Sequence, residues 1–433
     1  MSFLKILGFD PQKHSVRTEI VAGLTTFLTM AYILAVNPLI FGDLEGMGMP
    51  KDSVFTATAL AAIVGTLIMA LYAKKPYALA PGLGLNAFFV YTVCFTMGYS
   101  WQFALTAVLI EGIIFILLTV TNVREAIINA IPKAMKSAVS AGIGLFIAFI
   151  GLVNAGIIVD DGGTIISLGT ITSGPALLAI VGLVITSVMM ILKVPGAMLI
   201  GIIVTAIIGI PFGITKFDGV VSAVPSVAPI FCKFEFHNIL TWDMIIVVFT
   251  FLFIDMFDTI GTVIGVSKKA NAMNPDGTIP GVKKVLMADA VATVWGAICG
   301  TSTTTTYVES ASGVAEGGRT GLTSFTVAIC FAIALFFAPV FLAIPSAATA
   351  PALILVGVMM MSSILDVDFN DFSECIPAYI CMIVMPLAYS ISDGIMLGMI
   401  SFVVLNALTG KFKKISVMMW ILAVLFILRY ILL

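Results

Sequence analysis

Runs of roughly 20 apolar residues recur from one end of this chain to the other, and each is long enough to cross a hydrocarbon layer about 30 Å thick as a helix. Within lipid a backbone must satisfy its own hydrogen bonds, which leaves helices or a closed barrel. Of the 433 residues, 60% are hydrophobic and only 10% charged, more apolar surface than a water-soluble core takes up. The fold class that follows is an all-α polytopic membrane protein. The net charge of −2 offers no basic face to a nucleic acid, so no such partner is expected. The stretch between Gly8 and Glu19 is too polar for a cleaved secretory leader. Six cysteines lack CxxC spacing and a nearby histidine pair, so neither a disulfide frame nor a metal site is predicted. The two histidines, His14 and His237, lie in polar flanks and are not placed to relay protons within the membrane.

Polar breaks divide the apolar sequence into candidate spans near 18–40, 54–73, 78–97, 101–121, 135–155, 176–192 and 195–212. A second set falls near 241–266, 285–302, 303–318, 321–343, 348–366, 373–390 and 392–410. That makes fourteen, in two groups of seven. Lys5, Lys13 and Arg17 flank the first span, and Lys or Arg follows each even-numbered span through the tenth: Lys74–Lys75, Arg124 with Lys133 and Lys136, Lys193, Lys268–Lys269 with Lys283–Lys284, and Arg319. Asp43, Glu45, Asp160 and Asp161 fall on the other side. By the positive-inside rule the N-terminus is cytoplasmic. The acidic twelfth exit (Asp366, Asp368, Asp371, Glu374) departs from the pattern. The apolar tail 416–433 is left either lying in the interface or forming a further span.

A repeat with an odd number of spans inserts upside down relative to its copy. Faint echoes accompany this count: "IPKAMKSAVSAGIG" (131–144) and "IPSAATAPALILVG" (344–357) share Ile-Pro, the following Ala and the final Gly at one offset. Inverted repeats are frequent in secondary transporters, whose substrates bind at mid-membrane where helices are interrupted. The third and tenth spans carry such interruptions. In "YALAPGLGLNAFFVYTV" (77–93), Pro81, Gly82 and Gly84 disfavour continuous helix, and Asn86 is a good N-cap for a helix starting there. In "GTSTTTTYVESASGV" (300–314), four β-branched threonines favour extended backbone, with a helix starting near Val308–Ser310. Each segment therefore reads as a short strand followed by a half-helix. The two strands could pair, and the half-helix N-termini would present backbone N–H groups to a central cavity.

Within "FTFLFIDMFDTIGTVIG" (249–265), Asp255 and Asp258 share one helix face with Gly261, Thr262 and Gly265. An aspartate at bilayer depth costs at least about 2.5–3.5 kcal/mol, so it is expected to face a cavity and do something there. A cation, a proton or a hydrogen-bonding ligand would compensate it. Glu309, at the start of the tenth half-helix, is a third such acid. Glu111 reads as an interhelical hydrogen-bonding group, Asp289 as interfacial near a span end, and Phe88 and Phe89 as packing residues that could also line the site.

"RTEIVAGLTTFLTMAYILAVNP", "APGLGLNAFF", "FIDMFDTIGT" and "YVESASGVAEGGRTGLTS" together resemble the AzgA-like purine permeases, relatives of the nucleobase–ascorbate transporters within the nucleobase–cation symporters. The similarity runs from about residue 3 to 433. It implies fourteen segments in two inverted repeats of seven, with a core domain at 18–121 and 241–343, a gate domain at 135–212 and 348–410, and the apolar tail at 411–433. It implies proton-coupled import of hypoxanthine, guanine or adenine across the cytoplasmic membrane, by elevator-like movement of core against gate, and no enzymatic activity or cofactor. By position, Asn86, Asp255 and Glu309 match residues implicated in purine contact, and Asp258 one implicated in proton coupling. An alignment of "DTIGT" with the Glu-Thr-Ile-Gly type pattern of the wider superfamily instead makes Asp258 the substrate-facing acid. A purine has N–H donors on one edge and acceptors on another. Carboxylates suit the first; the amides of Val308 and Glu309 and the Asn86 side chain suit the second. The partners expected are a purine nucleobase and membrane lipid, with a homodimer left open. Alternatives are an anion, uracil or xanthine carrier of the same fold, a sodium-coupled nucleobase transporter, a channel, and an intramembrane aspartyl protease. The last needs its aspartates on different helices, whereas Asp255 and Asp258 share one.

Overall fold

Fourteen apolar segments follow one another in the order the sequence predicts, in a computed structural model that describes residues 2–121, 131–172, 174–217, 219–237, 239–274 and 279–432. Arg124, one of the orienting residues, lies outside them. Among the described residues nine helices are long and apolar enough to span a bilayer: Val16–Gly42, Lys51–Ala73, Trp101–Thr121, Lys133–Asn154, Gly174–Ile191, Trp242–Ser267, Gly321–Leu342, Ser346–Asp366 and Ile391–Leu408. These are spans 1, 2, 4, 5, 6, 8, 11, 12 and 14. Of the other five, two are shorter, two are interrupted and one is more polar. Spans 7 and 13 are the helices Ala197–Gly209 and Phe372–Leu387. Span 9 is Val282–Cys299, which carries Lys283, Lys284 and Asp289. Spans 3 and 10 are broken: strand Leu79–Pro81 precedes helix Leu83–Thr96, and strand Thr304–Thr306 precedes helix Ser310–Ala315.

The two strands pair antiparallel, with Leu79 opposite Thr306, Ala80 opposite Thr305 and Pro81 opposite Thr304. Backbone bonds from Gly82 N to Thr303 O (3.0 Å) and from Tyr307 N to Ala78 O (2.9 Å) extend the ladder at both ends. The outer edges are served by hydroxyls from neighbouring helices. Thr66 both donates to Leu79 O (3.1 Å) and accepts from Leu79 N (2.9 Å), and Thr293 donates to Thr304 O (3.1 Å). Non-helical backbone at membrane depth is tolerated only with such partners.

The third half-helix starts three residues before Asn86. Gly82, in extended conformation, occupies the N-cap position, and Asn86 N already bonds to Gly82 O at 2.8 Å. The asparagine side chain therefore does not cap. It accepts a hydrogen bond from Ser302 of the other broken span, because its place one turn into the helix aims it across the strand pair.

The repeat echo has a structural cause. Pro132 and Pro345, both in extended conformation, stand at the N-caps of spans 5 and 12. The two helices then cross at Gly144 and Gly357, the last residues of the echo. A Cβ on Gly144 would come within 2.7 Å of the Gly357 carbonyl oxygen, and one on Gly357 would press on the carbonyl of Gly144. Each glycine lies on the backbone of the other.

The acidic twelfth exit is matched by lysines from the same end of the bundle. Lys133 meets Asp366 at 2.6 Å, Lys411 meets Asp371 at 3.1 Å, and Lys414 meets Asp371 at 2.6 Å and Glu374 at 2.8 Å. The bonds from Lys414, Ser373 and Lys411, that of Lys414 foremost, hold the Asp371 carboxyl below its ordinary range. The tail forms helix Val417–Leu432 running back along span 14: Arg429 in its last turn pairs with Asp393 in that helix's first turn at 3.2 Å, and Tyr430 donates to Asp393 at 2.6 Å. Met419, Leu422, Ala423 and Phe426 form its buried stripe. The tail thus packs along span 14.

Gly144→Val should cost about 1–3 kcal/mol, since the facing backbone has no free end to move. The readout is the melting temperature of the detergent-solubilised protein; a value equal to wild type would refute the crossing as described.

Candidate functional site

Beside the strand pair is a cavity of about 390 Å3, within the size range of small-molecule sites. Its walls come from both broken spans and from spans 1, 5, 8 and 12. Gly82 and Gly84 contribute from the third, Thr306 through Glu309 from the tenth, and Asp258, Gly261 and Thr262 from the eighth. Tyr32 comes from the first span, where the helix is broken between Met30 and Ile33. Ser140 and Ile143 (span 5) face Met359, Ser362 and Ser363 (span 12), and Ser363 donates to Ser140 at 3.2 Å. Among these lining residues there is no Lys, Arg or His.

Of the residues singled out in the sequence, Asp258, Val308 and Glu309 line this cavity. Glu309 accepts a hydrogen bond from the Tyr32 hydroxyl at 2.7 Å, which fixes one carboxylate oxygen. Asp258 is partly exposed to the cavity, within electrostatic reach of Glu309 and of Asp289. Val308 is half exposed, just ahead of the helix Ser310–Ala315. That helix is only six residues long, so its dipole is smaller than a full half-span would give.

Asn86 and Asp255 lie one layer behind the wall. Both are fully buried and neither lines the cavity. Asp255 sits one helical turn before Thr259, whose hydroxyl is 3.1 Å from Asp255 Oδ1, 2.8 Å from Asp289 Oδ2 and 2.7 Å from the Thr305 hydroxyl. Phe88 and Phe89 are also fully buried and stack edge-on against Phe251 at 4.8 and 6.4 Å, so they pack and do not line the site.

Asp289 is a correction to the sequence reading. It is not interfacial but fully buried, accepting from Thr306 N (2.9 Å) and Thr306 Oγ1 (2.8 Å) as well as from Thr259. The reason is its place in the second turn of span 9, where small neighbours (Ala288, Ala290, Ala292, Thr293) let the strand pair come close. Glu111 is an interhelical hydrogen-bonding group as read, accepting from Thr303 at 2.7 Å. Tyr32 and Thr306 were not singled out as site residues. No local pattern marks Tyr32, whereas Thr306 sits in the threonine run already read as extended.

At the end of span 13, Tyr389 packs among aromatic rings of spans 3 and 5. Its ring meets Tyr91 at 6.0 Å, Phe146 at 5.7 Å and Phe149 at 5.6 Å, and its carbonyl accepts from Thr92 and Thr96, each at 3.4 Å.

Residues 17–397 match the model of a protein family described as the Permease family. The chain is 45% identical to the guanine/hypoxanthine permease PbuG of Bacillus subtilis, over 98% of each chain. It is 41% identical to the adenine permease AdeQ of Escherichia coli, over 96% of this chain and 94% of that one. Among solved structures it resembles the transmembrane domain of a cyanobacterium bicarbonate transporter, BicA, with TM-score 0.65 and 17% identity over 88% of this chain and 97% of that one. That likeness is one of fold: two inverted repeats of seven segments.

Thr306→Val keeps the backbone N–H on Asp289 but removes the hydroxyl, leaving a buried carboxylate short of a donor at a cost of about 1–3 kcal/mol. A melting temperature unchanged in detergent would show that this bond does not hold the strand to span 9.

Proposed function

This chain belongs to the Permease family, and we propose that it imports purine nucleobases, hypoxanthine or guanine and adenine, across the cytoplasmic membrane together with a proton. The observation that carries the reading is the cavity wall, where Asp258 and Glu309 face a common space without a lysine, arginine or histidine among the lining residues. Such a wall suits a flat neutral ligand with N–H donors and disfavours an anion. Purine permeases among the relatives, covering nearly the whole length, support the same substrate class.

In this reading Glu309, oriented by Tyr32, accepts from the N–H edge of the base, and the Val308 amide serves an acceptor on its other edge. A base that leaves one of these groups unpaired loses roughly 1–3 kcal/mol of binding, which is the source of selectivity. Asn86 and Asp255 act from behind the wall, holding the strand pair and the eighth span in register. Asp258 carries the coupled proton, because it shares the cavity with the substrate and is close to two other acids.

The bundle divides, on this proposal, into a core of spans 1–4 and 8–11 that bears the site and a gate of spans 5–7 and 12–14. The cavity reaches Ser362 and Ser363 at the end of span 12, and in this reading Tyr389 and its aromatic neighbours form the outer gate. With the N-terminus cytoplasmic, as proposed, the end of span 12 lies on the cytoplasmic side, and we read the arrangement as inward-open. Sliding of the core past the crossing of spans 5 and 12 would break the contacts of Tyr389 with Tyr91, Thr92 and Thr96 of span 3, which join gate to core, and open the outer path.

The reading is tested by uptake of radiolabelled hypoxanthine in cells or vesicles, challenged with adenine, guanine, uracil and xanthine at two external pH values and with sodium omitted. Purines should compete, pyrimidine should not, and uptake should rise as external pH falls. Asp258→Asn should abolish accumulation against a gradient; full accumulation in that variant would remove the aspartate from the coupling role.

A further inference from the structure

The half-helix that follows Glu309 is docked on one face of the first span. Glu19, Ala22, Thr26 and Thr29 recur at intervals of three and four in helix Val16–Met30, and so lie on that face. Tyr32 follows three residues later, just beyond the helix end. The buried Glu19 carboxylate accepts from Arg319 N (3.1 Å) and Thr320 N (3.2 Å), immediately before span 11 begins. Arg319 in turn donates through Nη1 to the carbonyl of Val314 at 2.6 Å, near the end of helix Ser310–Ala315. A Cβ on Gly313 would come within 2.4 Å of the Ala22 carbonyl oxygen, so the two helices meet backbone to backbone.

At the cavity end of this face two contacts converge on Glu309. The Tyr32 hydroxyl holds its carboxylate at 2.7 Å. The Thr29 hydroxyl lies 2.9 Å from the Ser312 hydroxyl, which donates to the Glu309 carbonyl oxygen at 2.6 Å. A serine hydroxyl has one proton to give, so toward Thr29 the Ser312 oxygen accepts. Thr29 is also 2.9 Å from the Thr26 carbonyl oxygen, so its hydrogen is shared between its own helix and Ser312. Neither Thr29 nor Ser312 lines the cavity, and they reach a ligand there only through Glu309. We propose that Thr29 and Ser312 are positioning residues for Glu309, fixing its backbone while Tyr32 fixes its carboxylate. The acceptor then meets the N–H edge of the base already aimed, and less conformational freedom is lost on binding. Without the Thr29–Ser312 contact Glu309 pivots about its bond to Tyr32, and the ligand has to restore the orientation. The proposal rests on the purine reading above for its ligand, but not for the clamp itself.

The test compares wild type with Thr29→Val, Ser312→Ala, the double variant and Thr29→Ser, all as full-length protein. Each of the first two should weaken equilibrium binding of radiolabelled hypoxanthine about three- to tenfold, the scale of one hydrogen bond. In proteoliposomes KM should rise to match, with the maximal rate unchanged. Because both substitutions break one contact, the double variant should be no weaker than the weaker single, and Thr29→Ser should restore wild-type binding. Should Thr29→Val fail to fold, Ser312→Ala reads the same contact from the other side. Hydrogen–deuterium exchange without ligand should quicken over residues 309–316 in both single variants. Binding and exchange that match wild type in both, losses that add in the double variant, or no recovery in Thr29→Ser overturns the proposal. A wild-type protein that binds no hypoxanthine, guanine or adenine, while exchange still responds to both substitutions, overturns the purine reading and leaves the clamp standing.

Discussion

Two stretches of this chain cross lipid depth without being helical, and their backbone groups have no water to bond. The rest of the arrangement depends on how that need is met. Leu79–Pro81 and Thr304–Thr306 bond to each other, and Thr66 and Thr293 serve their outer edges. The pairing ties the third span to the tenth across more than two hundred residues of sequence. It also determines where both half-helices begin, and so where Val308 and Glu309 meet Gly82 and Gly84 around one cavity. A strand pair of three residues a side would not be stable alone. It persists because spans 2 and 9 supply the hydroxyls and close contacts that cover it.

Acids at membrane depth follow from the same pairing. Asp289 accepts from a strand N–H and a strand hydroxyl, Glu111 from Thr303, and Glu309 from Tyr32. Asp289 and Glu111 are thus held by groups of the extended stretch of the tenth span, and Glu309 by Tyr32 of the first. Isolated, each would cost several kcal/mol in hydrocarbon. Grouped around one threonine ladder, they make a polar layer through the middle of an otherwise apolar bundle.

The inverted repeat shows how symmetry is used where the two halves touch. Spans 5 and 12, each opened by Ile-Pro, cross at Gly144 and Gly357 with backbone on backbone. Small residues at such a crossing replace the hydrophobic drive that lipid does not supply. The charge pattern is likewise completed in three dimensions. The acids after span 12, anomalous along the chain, are neutralised by Lys133, Lys411 and Lys414. Tail helix Val417–Leu432 is pinned through Arg429 to Asp393.

From the sequence alone came the number of segments, their two groups of seven, the two interruptions and the acids worth attention. Hydrophobic length, β-branched runs and glycine–proline breaks are local properties, and they dictate local structure whatever surrounds them. Distances between elements are not local. Asp255 and Asp258, three residues apart on one helix, end in different layers because the helix surface turns between cavity and strand. Asp289 read as interfacial because its buried partners, Thr259 and Thr306, come from other spans. Tyr32 had no pattern of its own, and it became a site residue only when the first and tenth spans came together at Glu309. What tertiary structure decided was which polar groups share a space, since burial and hydrogen bonding are settled by neighbours that the linear chain keeps far apart.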